Sequence, residues 1–382
     1  MPIKKGNTRG SSLSFCPNSK PGIAKTTLEK RSPFPSLQIT PPFGGVLFQA
    51  VLLLAAFWLA GEAVIRLGVA VNLWPEPLLG TANAEMDIKI QALDRIAREK
   101  PVDCIFLGSS QLDTAINPAV FSEEYESLTG RSLNCYNFSL GTLTAGPAGK
   151  IAAILVYRYH PKILVAGLSA RDFSRDFGEL ARPLMSDPWV REKLADPNPG
   201  GWLTDRSLFY RYLGQVRNQL NPDYMQFYAR LRRELAPDGF LRYGGNDLTI
   251  DTDEFIPKFK LHAEDLSGLD EVMAMKDQDV QVILLEVPVY PDFLPNYVEG
   301  DSLKYFTEFR APIQERVDVY GVPFVYSQEE IGTFISGSRW NDVKHLNTKG
   351  AEVFSRWFAK RAVEIIQTDA VKQVSMRANG DH

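Results

Sequence analysis

The folded part of this chain alternates short apolar runs with segments of helical periodicity. Each short run is rich in β-forming residues and is followed by turn residues, as is typical of buried parallel strands. Such runs occur at 102–108, 133–140, 162–168, 279–287 and 323–326. Amphipathic segments stand between or after them, at 118–130, 148–158, 312–320 and 351–366. This order predicts an α/β fold with a doubly wound, parallel, five-stranded, flavodoxin-like sheet.

A longer apolar segment lies near the N-terminus. Gly44–Gly61 contains eighteen residues without a formal charge, and the apolar character continues past Glu62 and Arg66. A bilayer core of about 30 Å needs about twenty helical residues, so 43–71 is predicted to be a transmembrane helix. Glu62 and Arg66 have the i,i+4 spacing that allows an ion pair near the outer interface, with Trp74 as an anchor.

Charge is distributed unevenly on the two sides of this segment. Residues 1–42 carry seven basic residues and one acidic residue, a net +6, and the total of −4 leaves −10 for the remainder. The segment 1–42 is predicted to be a disordered, cytoplasmic tail, with the chain from about residue 75 outside the cytoplasm. A cleaved signal peptide is the alternative, since Ala82-Asn83-Ala84 has the small residues of a cleavage site. The acidic exterior argues against nucleic acid as a partner.

Three further segments complete the predicted organisation. Residues 72–100, amphipathic over 86–97, are interpreted as a stalk helix that leads to a domain at 101–370. Within that domain, 172–270 interrupts the strand and helix order and is interpreted as a helical insertion rich in aromatic residues and arginine. It is either a layer that enlarges the core or a surface for substrate or partner. Residues 371–382 are predicted to be a disordered tail.

The cysteines indicate neither a metal site nor a cofactor. Cys104 and Cys135 fall in predicted strands, and Cys16 falls in the tail. Two buried thiols are favoured over a disulfide, because cross-strand disulfides are usually strained. No Cys and His spacing is typical of zinc, and we expect no metal and no organic cofactor.

Candidate catalytic side chains stand at opposite ends of the predicted sheet. Ser109 and Ser110 follow the first strand after Gly108, and Asp342 and His345 precede the last helix. A serine hydroxyl needs a base to remove its proton, and a carboxylate holds that base in the required tautomer. Of the four histidines, His345 alone has an acid three residues earlier in such a loop. Each motif alone is as well explained by a turn or a helix cap, but together they indicate a serine triad.

In these motifs the chain resembles the SGNH/GDSL hydrolase superfamily. The matching residues are Gly108-Ser109-Ser110 after the first strand, Gly141 after the second, and Asp342-Val-Lys-His345 before the last helix. The Gly-Ser-Ser form and the N-terminal anchor are most similar to the DltD-like and alginate O-acetylation branch. The resemblance covers about 102–172 and 280–366, and it implies an SGNH-like sheet.

The resemblance also implies roles for individual residues. Ser110 would be the nucleophile, His345 the general base and Asp342 its orienting carboxylate, while Ser109 stands where the family has Asp. The N–H groups of Ser110 and Gly141 would form part of the oxyanion hole.

The family's third block, Gly-x-Asn-Asp, has no counterpart at the end of the third strand. Ser169 and Arg171 stand there and are candidates to replace the missing oxyanion donor. A later Gly245-Asn246-Asp247 triplet follows no predicted strand and is interpreted as a chance turn sequence. The departure argues against ordinary fast hydrolysis and leaves acyl transfer or loss of activity open.

Two function hypotheses follow. The first is a membrane-anchored, extracytoplasmic serine esterase or O-acyltransferase, which moves an acetyl or similar group of a cell-surface glycan through an acyl-Ser110 intermediate. The resemblance implies a multi-pass membrane O-acyltransferase as a partner. The second is a non-catalytic accessory protein of the same fold that binds a glycan or a membrane partner.

Overall fold

The computed structural model describes residues 41–173, 181–250, 261–297 and 301–380. Residues 1–40 of the predicted basic tail lie outside this part of the chain.

Within the described residues, five parallel strands form one sheet in the order β2-β1-β3-β4-β5, which confirms the predicted fold class. The chain runs from β1 to one neighbour and then crosses to the other, so the switch point lies at the carboxyl end of β1. The strands are β1 Cys104–Leu107, β2 Cys135–Asn137, β3 Ile163–Leu168, β4 Gln281–Glu286 and β5 Phe324–Val325.

Helices precede, connect and follow these strands. The α4 helix shows how local sequence sets their bounds: the Asn117 side chain accepts from the N–H groups of Ala119 and Val120, and Gly130 ends the helix at a φ of 69°. In chain order the helices are α1 Pro41–Ala70, α2 Ala84–Glu99, α3 Ser110–Ala115, α4 Pro118–Thr129, α5 Ala145–Tyr159, α6 Pro188–Lys193, α7 Pro199–Arg206, α8 Leu208–Gln219, α9 Pro222–Glu234, α10 Ala263–Ala274, α11 Leu294–Tyr297, α12 Ser302–Lys304, α13 Ala311–Tyr320, α14 Ile331–Phe334 and α15 Thr348–Gly380.

Two apolar cores cover the two faces of the sheet. Ile105 and Leu107 of β1 point into a core shared with α2, α5, α10 and α13, whereas Phe106 points into the core formed with α3, α4 and α15. On the first face α5 and α10 approach closely, and a Cβ atom on Gly149 would lie 2.5 Å from the carbonyl oxygen of Gly268. The buried, continuously apolar strands therefore reflect a sheet covered on both sides.

The predicted stalk, 72–100, does not stand apart from the domain. The helix in this segment, α2, buries most of its first ten residues, and Lys89 and Leu93 are completely inaccessible to solvent. The amphipathic pattern identified the helix but not its partner, because an apolar stripe does not reveal which surface covers it.

Two other boundaries differ from the prediction. Helix α10 packs on α5 as the crossover between β3 and β4, so the helical insertion ends before Ala263 and not at residue 270. Helix α15 continues to Gly380 through most of 371–382, which was predicted to be disordered.

The N-terminal helix α1 is long and apolar enough over Gly44–Ala70 to span a membrane. The predicted ion pair is present, with Arg66 Nε 2.6 Å from Glu62 Oε1. Cys104 and Cys135 lie opposite each other on β1 and β2 as free, buried thiols. Burial raises the pKa of the Cys104 thiol, and hydrogen bonding to Cys135 adds to the effect.

Candidate active site

Ser110 is the first residue of α3, three residues after β1 ends. The turn between them needs a glycine at Gly108, where a Cβ atom would lie 2.9 Å from the Leu112 side chain and 3.1 Å from the carbonyl oxygen of Gly167. The tight turn places Ser110 at the carboxyl edge of the sheet. Because the first N–H groups of a helix have no acceptor within the helix, this position also presents backbone donors.

The loop that carries Asp342 and His345 is held by its own hydrogen bonds. Trp340 is fully buried and pairs with Leu346 in an isolated antiparallel bridge. Asp342 Oδ1 accepts from the backbone N–H groups of Lys344 and His345 at 2.8 and 2.9 Å. These two hydrogen bonds fix the position of the Asp342 carboxylate independently of its contact with the His345 imidazole.

The structure brings the three predicted catalytic side chains together. Ser110 Oγ lies 3.1 Å from His345 Nε2, and His345 Nδ1 lies 3.0 Å from both carboxylate oxygens of Asp342. A carboxylate on Nδ1 favours the tautomer with the proton on Nδ1 and leaves Nε2 as an acceptor for the serine hydroxyl. Ser110 lies 232 residues before Asp342 and 235 residues before His345 in the chain, yet the three side chains predicted from the sequence are adjacent in space.

Asp342 is held in its charged form. Burial acts to raise its pKa, but the hydrogen bond and charge of His345, together with donors from Lys344 and Asn341, hold the pKa at about 2. The carboxylate is thus ionised throughout the neutral range and can stabilise an imidazolium at His345.

The triplet 245–247, interpreted from the sequence as a chance turn, contacts the loop that carries Asp342. Gly245 N–H donates to the Asn341 side chain at 3.1 Å, and Asp247 N–H donates to the Asn341 carbonyl at 2.6 Å. The Asn246 amide donates to the carbonyl of Trp340 at 3.1 Å. The triplet therefore holds the loop that carries Asp342, a role that sequence spacing could not indicate because the two segments are far apart in the chain.

The helical insertion also forms one wall of a cleft at the triad. The Tyr243 ring lies edge-to-face against the His345 ring with centroids 5.8 Å apart, and Arg230 donates to the Tyr243 hydroxyl at 3.0 Å. The cleft has a volume of about 390 Å³ and is lined by Arg230, Glu234, Arg242, Tyr243, Gly244, Asn341, Asp342 and His345. Side chains of 172–270 therefore lie beside the candidate site as well as in the core.

The predicted oxyanion donors other than Ser110 have partners of their own. Gly141 N–H donates to Glu85 Oε2 at 2.7 Å. Ser169 directs both its N–H and its hydroxyl at Asp172 Oδ2, at 2.8 and 2.9 Å. Arg171 lies beside Asp172 in a short 3-10 turn; burial raises the pKa of the Asp172 carboxyl, and the charge of Arg171 opposes this effect. In this structure the N–H groups of Gly141 and Ser169 are thus engaged by carboxylates.

Beneath these groups lies a buried charge network that the sequence did not reveal. Lys89 Nζ lies 2.6 Å from Asp113 Oδ1 and donates to the carbonyls of Ser139 and Asn137 at 2.6 and 3.3 Å. Lys89 and Asp113 are fully buried. The ammonium therefore joins α3, which carries Ser110, to the loop after β2.

Glu85 belongs to the same network, one helical turn before Lys89 on α2. Burial raises the pKa of Asp113 well above its ordinary value; the Lys89 charge opposes this effect, and the Glu85 charge adds to it. Two carboxyl groups and one ammonium in a dry space favour a bound proton. The i,i+4 spacing of Glu85 and Lys89 is present in the sequence, but the same spacing is equally typical of an ion pair on the exposed face of a helix.

Comparison with solved structures places hydrolases among the similar chains. A lipase/acylhydrolase from Enterococcus faecalis is 10% identical, with a TM-score of 0.33 over 68% of this chain and 94% of that chain. The psychrotrophic esterase EstA from a Pseudoalteromonas species is 10% identical, with a TM-score of 0.35 over 69% and 99%. A GDSL-like lipase from Bacteroides thetaiotaomicron is 10% identical, with a TM-score of 0.34 over 73% and 98%. No protein-family model and no curated protein sequence matches the chain.

Proposed function

We propose that this protein is a serine esterase or O-acyltransferase of the SGNH type, in which Ser110 carries the acyl group. The observation that supports this most directly is the continuous hydrogen-bonded line from Ser110 Oγ through His345 to Asp342, with distances of 3.1 and 3.0 Å. An activated serine requires these contacts, and a chance turn or a helix cap does not.

In the first half-reaction the Ser110 hydroxyl attacks the carbonyl carbon of an ester. His345 Nε2 takes the hydroxyl proton as the bond to Oγ forms, and Asp342 stabilises the imidazolium. The tetrahedral intermediate then breaks its bond to the leaving oxygen, which receives the proton from His345. The products are acyl-Ser110 and a free alcohol.

In the second half-reaction an acceptor hydroxyl attacks acyl-Ser110. His345 removes the acceptor's proton and returns it to Ser110 Oγ when the acyl bond breaks. A water acceptor makes the protein an esterase, whereas a sugar hydroxyl makes it a transferase. Both use the backbone N–H of Ser110 as one donor to the oxyanion.

The setting of this chemistry is a further part of the proposal. Helix α1 supports membrane anchoring by its length and apolar surface, and the basic tail with the acidic remainder supports an extracytoplasmic domain. The motif resemblance to the DltD-like and alginate O-acetylation branch supports acyl groups of a cell-surface glycan as substrate and a multi-pass membrane O-acyltransferase as partner.

A non-catalytic accessory role is the second candidate, and the oxyanion side favours it. Gly141 N–H donates to Glu85 and Ser169 N–H donates to Asp172. Removal of one oxyanion donor costs on the order of 10² to 10³ in rate in serine enzymes. A site in which the N–H groups of Gly141 and Ser169 are already bound by carboxyl groups suits a protein that binds a glycan or a membrane partner without turnover.

The discriminating experiment is labelling of the full chain, solubilised in detergent, with a fluorophosphonate probe. We expect labelling of the parent protein, loss of labelling in Ser110→Ala and His345→Ala, and retention in Ser109→Ala, whose serine is the chain neighbour. Circular dichroism checks that each variant is folded. A folded parent protein that is not labelled by the probe and does not hydrolyse p-nitrophenyl acetate would contradict the serine-enzyme proposal and support the accessory role.

A further inference from the structure

Helix α8 of the insertion exposes an apolar stripe along one side. The stripe consists of Tyr212, Leu213, Val216 and Leu220, which are between 38% and 80% exposed. At 100° per residue these positions lie within one 100° sector of the helix. Leu220, the residue directly after the helix, is 80% exposed. The stripe is therefore an apolar surface without a cover among the described residues.

The same stripe begins under α1. Phe209 continues the sector at its N-terminal end and is only 9% exposed. Its ring meets the rings of Phe57 and Trp58 edge-to-face, with centroids 5.8 and 5.4 Å apart. A Cβ atom on Gly61 would lie 2.9 Å from the Phe209 ring, so glycine there allows the two helices to meet. One end of the stripe is thus covered by the candidate membrane helix.

Glu62 fixes the point along α1 at which the first residues of α8 are bound. Its carboxylate accepts from the Ser207 hydroxyl and from the N–H groups of Leu208 and Phe209, at 2.7, 3.1 and 3.0 Å, and so caps the start of α8. Glu62 is also the first charged residue after the eighteen uncharged residues of Gly44–Gly61. Those residues span about 27 Å as a helix, close to the thickness of a bilayer core. Helix α8 therefore starts where the hydrocarbon region ends.

Residues on the helices before and after α8 have the chemistry of a membrane interface. Trp202 on α7 and Phe227 on α9 are exposed aromatic side chains, and the Arg206 guanidinium lies over the Trp202 ring at 4.8 Å from its centroid. Trp and Tyr are enriched where lipid headgroups meet the hydrocarbon, and arginine extends from there to the phosphates.

We propose that the stripe Tyr212, Leu213, Val216 and Leu220 lies in the outer lipid interface and binds the bilayer surface as a second contact beside α1. This inference rests on the proposed membrane anchoring. The occupant is lipid because the stripe is continuous with the helix that spans the bilayer and starts at its edge. A second contact of this kind restricts rotation of the domain about the anchor.

The test uses the full chain reconstituted in vesicles of phosphatidylcholine and phosphatidylglycerol in equal parts. Single cysteines are introduced in a Cys16→Ser background and labelled with a bimane fluorophore; Cys104 and Cys135 are buried and do not react in the folded protein. Lipids brominated near the headgroup quench fluorophores that lie in the interface, and lipids brominated at the middle of the acyl chain quench fluorophores in the centre of the bilayer. The positions are Leu220→Cys for the stripe, Leu54→Cys for α1, and Val319→Cys as the control, whose side chain is 83% exposed on α13.

We expect headgroup-brominated lipid to quench Leu220→Cys, and lipid brominated at mid-chain to quench Leu54→Cys, at least about threefold more than Val319→Cys, because only the first two lie in the bilayer. Adding Leu213→Glu should reduce the quenching at Leu220 about twofold, whereas Leu128→Glu, an exposed position on α4, should not change it. Quenching at Leu54 without quenching at Leu220 overturns the inference and leaves the anchor intact. No quenching at Leu54 overturns the anchoring as well. Protection of Leu220 from both brominated lipid and aqueous iodide indicates a protein cover and also overturns the inference.

Discussion

The two sides of the candidate site, the triad and the predicted oxyanion hole, differ in what their polar groups bind. On the triad side Ser110, His345 and Asp342 bind each other in the order that proton transfer needs. On the other side the N–H of Gly141 is bound to the carboxylate of Glu85. Positioned catalytic side chains therefore do not by themselves complete a site, because the donors to the developing oxyanion must also be free.

The largest effect should come from breaking the triad side. His345→Ala removes the base and should lower kcat for ester hydrolysis by about 10⁴-fold or more, because the serine proton then has no acceptor. Steady-state kinetics with p-nitrophenyl acetate measure this. His160→Ala, on the chain segment that ends α5, is the control and should keep the parent rate. Equal rates in both variants would exclude His345 as the base.

Breaking the network under both sides should chiefly reduce stability. Lys89→Met leaves Asp113 buried without its ammonium and should lower the free energy of unfolding by about 3–5 kcal/mol. Urea denaturation followed by tryptophan fluorescence gives this value. Lys360→Met removes a lysine whose side chain is 61% exposed and should change stability by less than about 1 kcal/mol. Similar midpoints for the two variants would contradict the bridging role of Lys89.

A milder change tests whether Glu85 limits the oxyanion side. Glu85→Gln keeps an acceptor near Gly141 but removes the charge, so it competes less strongly for the N–H group. We expect the rate of fluorophosphonate labelling at Ser110 to rise about tenfold. This is less than the rate factor on the order of 10² to 10³ that one complete oxyanion donor contributes. Glu76→Gln, at a more exposed ion pair with Arg98, should leave the rate unchanged. A slower reaction in Glu85→Gln would show that the carboxylate supports the site and does not block it.

The smallest expected effect concerns Asp87, the second buried acid of α2, which faces the insertion. Burial raises the pKa of Asp87 to about 7, against hydrogen bonds from Thr81 and Tyr224 that lower it. The folded state then keeps a proton that the unfolded state releases above a pH of about 4, so stability falls as pH rises from there to about 7. Between pH 6 and 7 this loss should be about 1 kcal/mol.

Urea denaturation at several pH values checks this dependence. Asp87→Asn should remove that part of the pH dependence, whereas Asp223→Asn, a surface residue in the first turn of α9, should preserve it. An unchanged slope in Asp87→Asn would show that its carboxyl does not titrate in this range.

The sequence by itself determined the α/β class and the order of strands and helices, and it predicted three candidate triad residues that the structure brings within hydrogen-bond distance. It did so because strand and helix periodicities are local, and because a glycine turn after a strand and an Asp-x-x-His loop are short motifs. The N-terminal apolar helix and its Glu62–Arg66 pair were likewise encoded in a single run of residues.

Tertiary structure alone decided which polar groups meet across the chain. It buried α2, which the sequence suggested was a stalk, and thereby placed Glu85 on Gly141 and Lys89 between α3 and the loop after β2. It also placed Asn246 on the triad loop. Such contacts join segments that are distant in the chain. The sequence around a single Glu, Lys or Asn does not indicate its partner, because pairing depends on where packing brings each side chain.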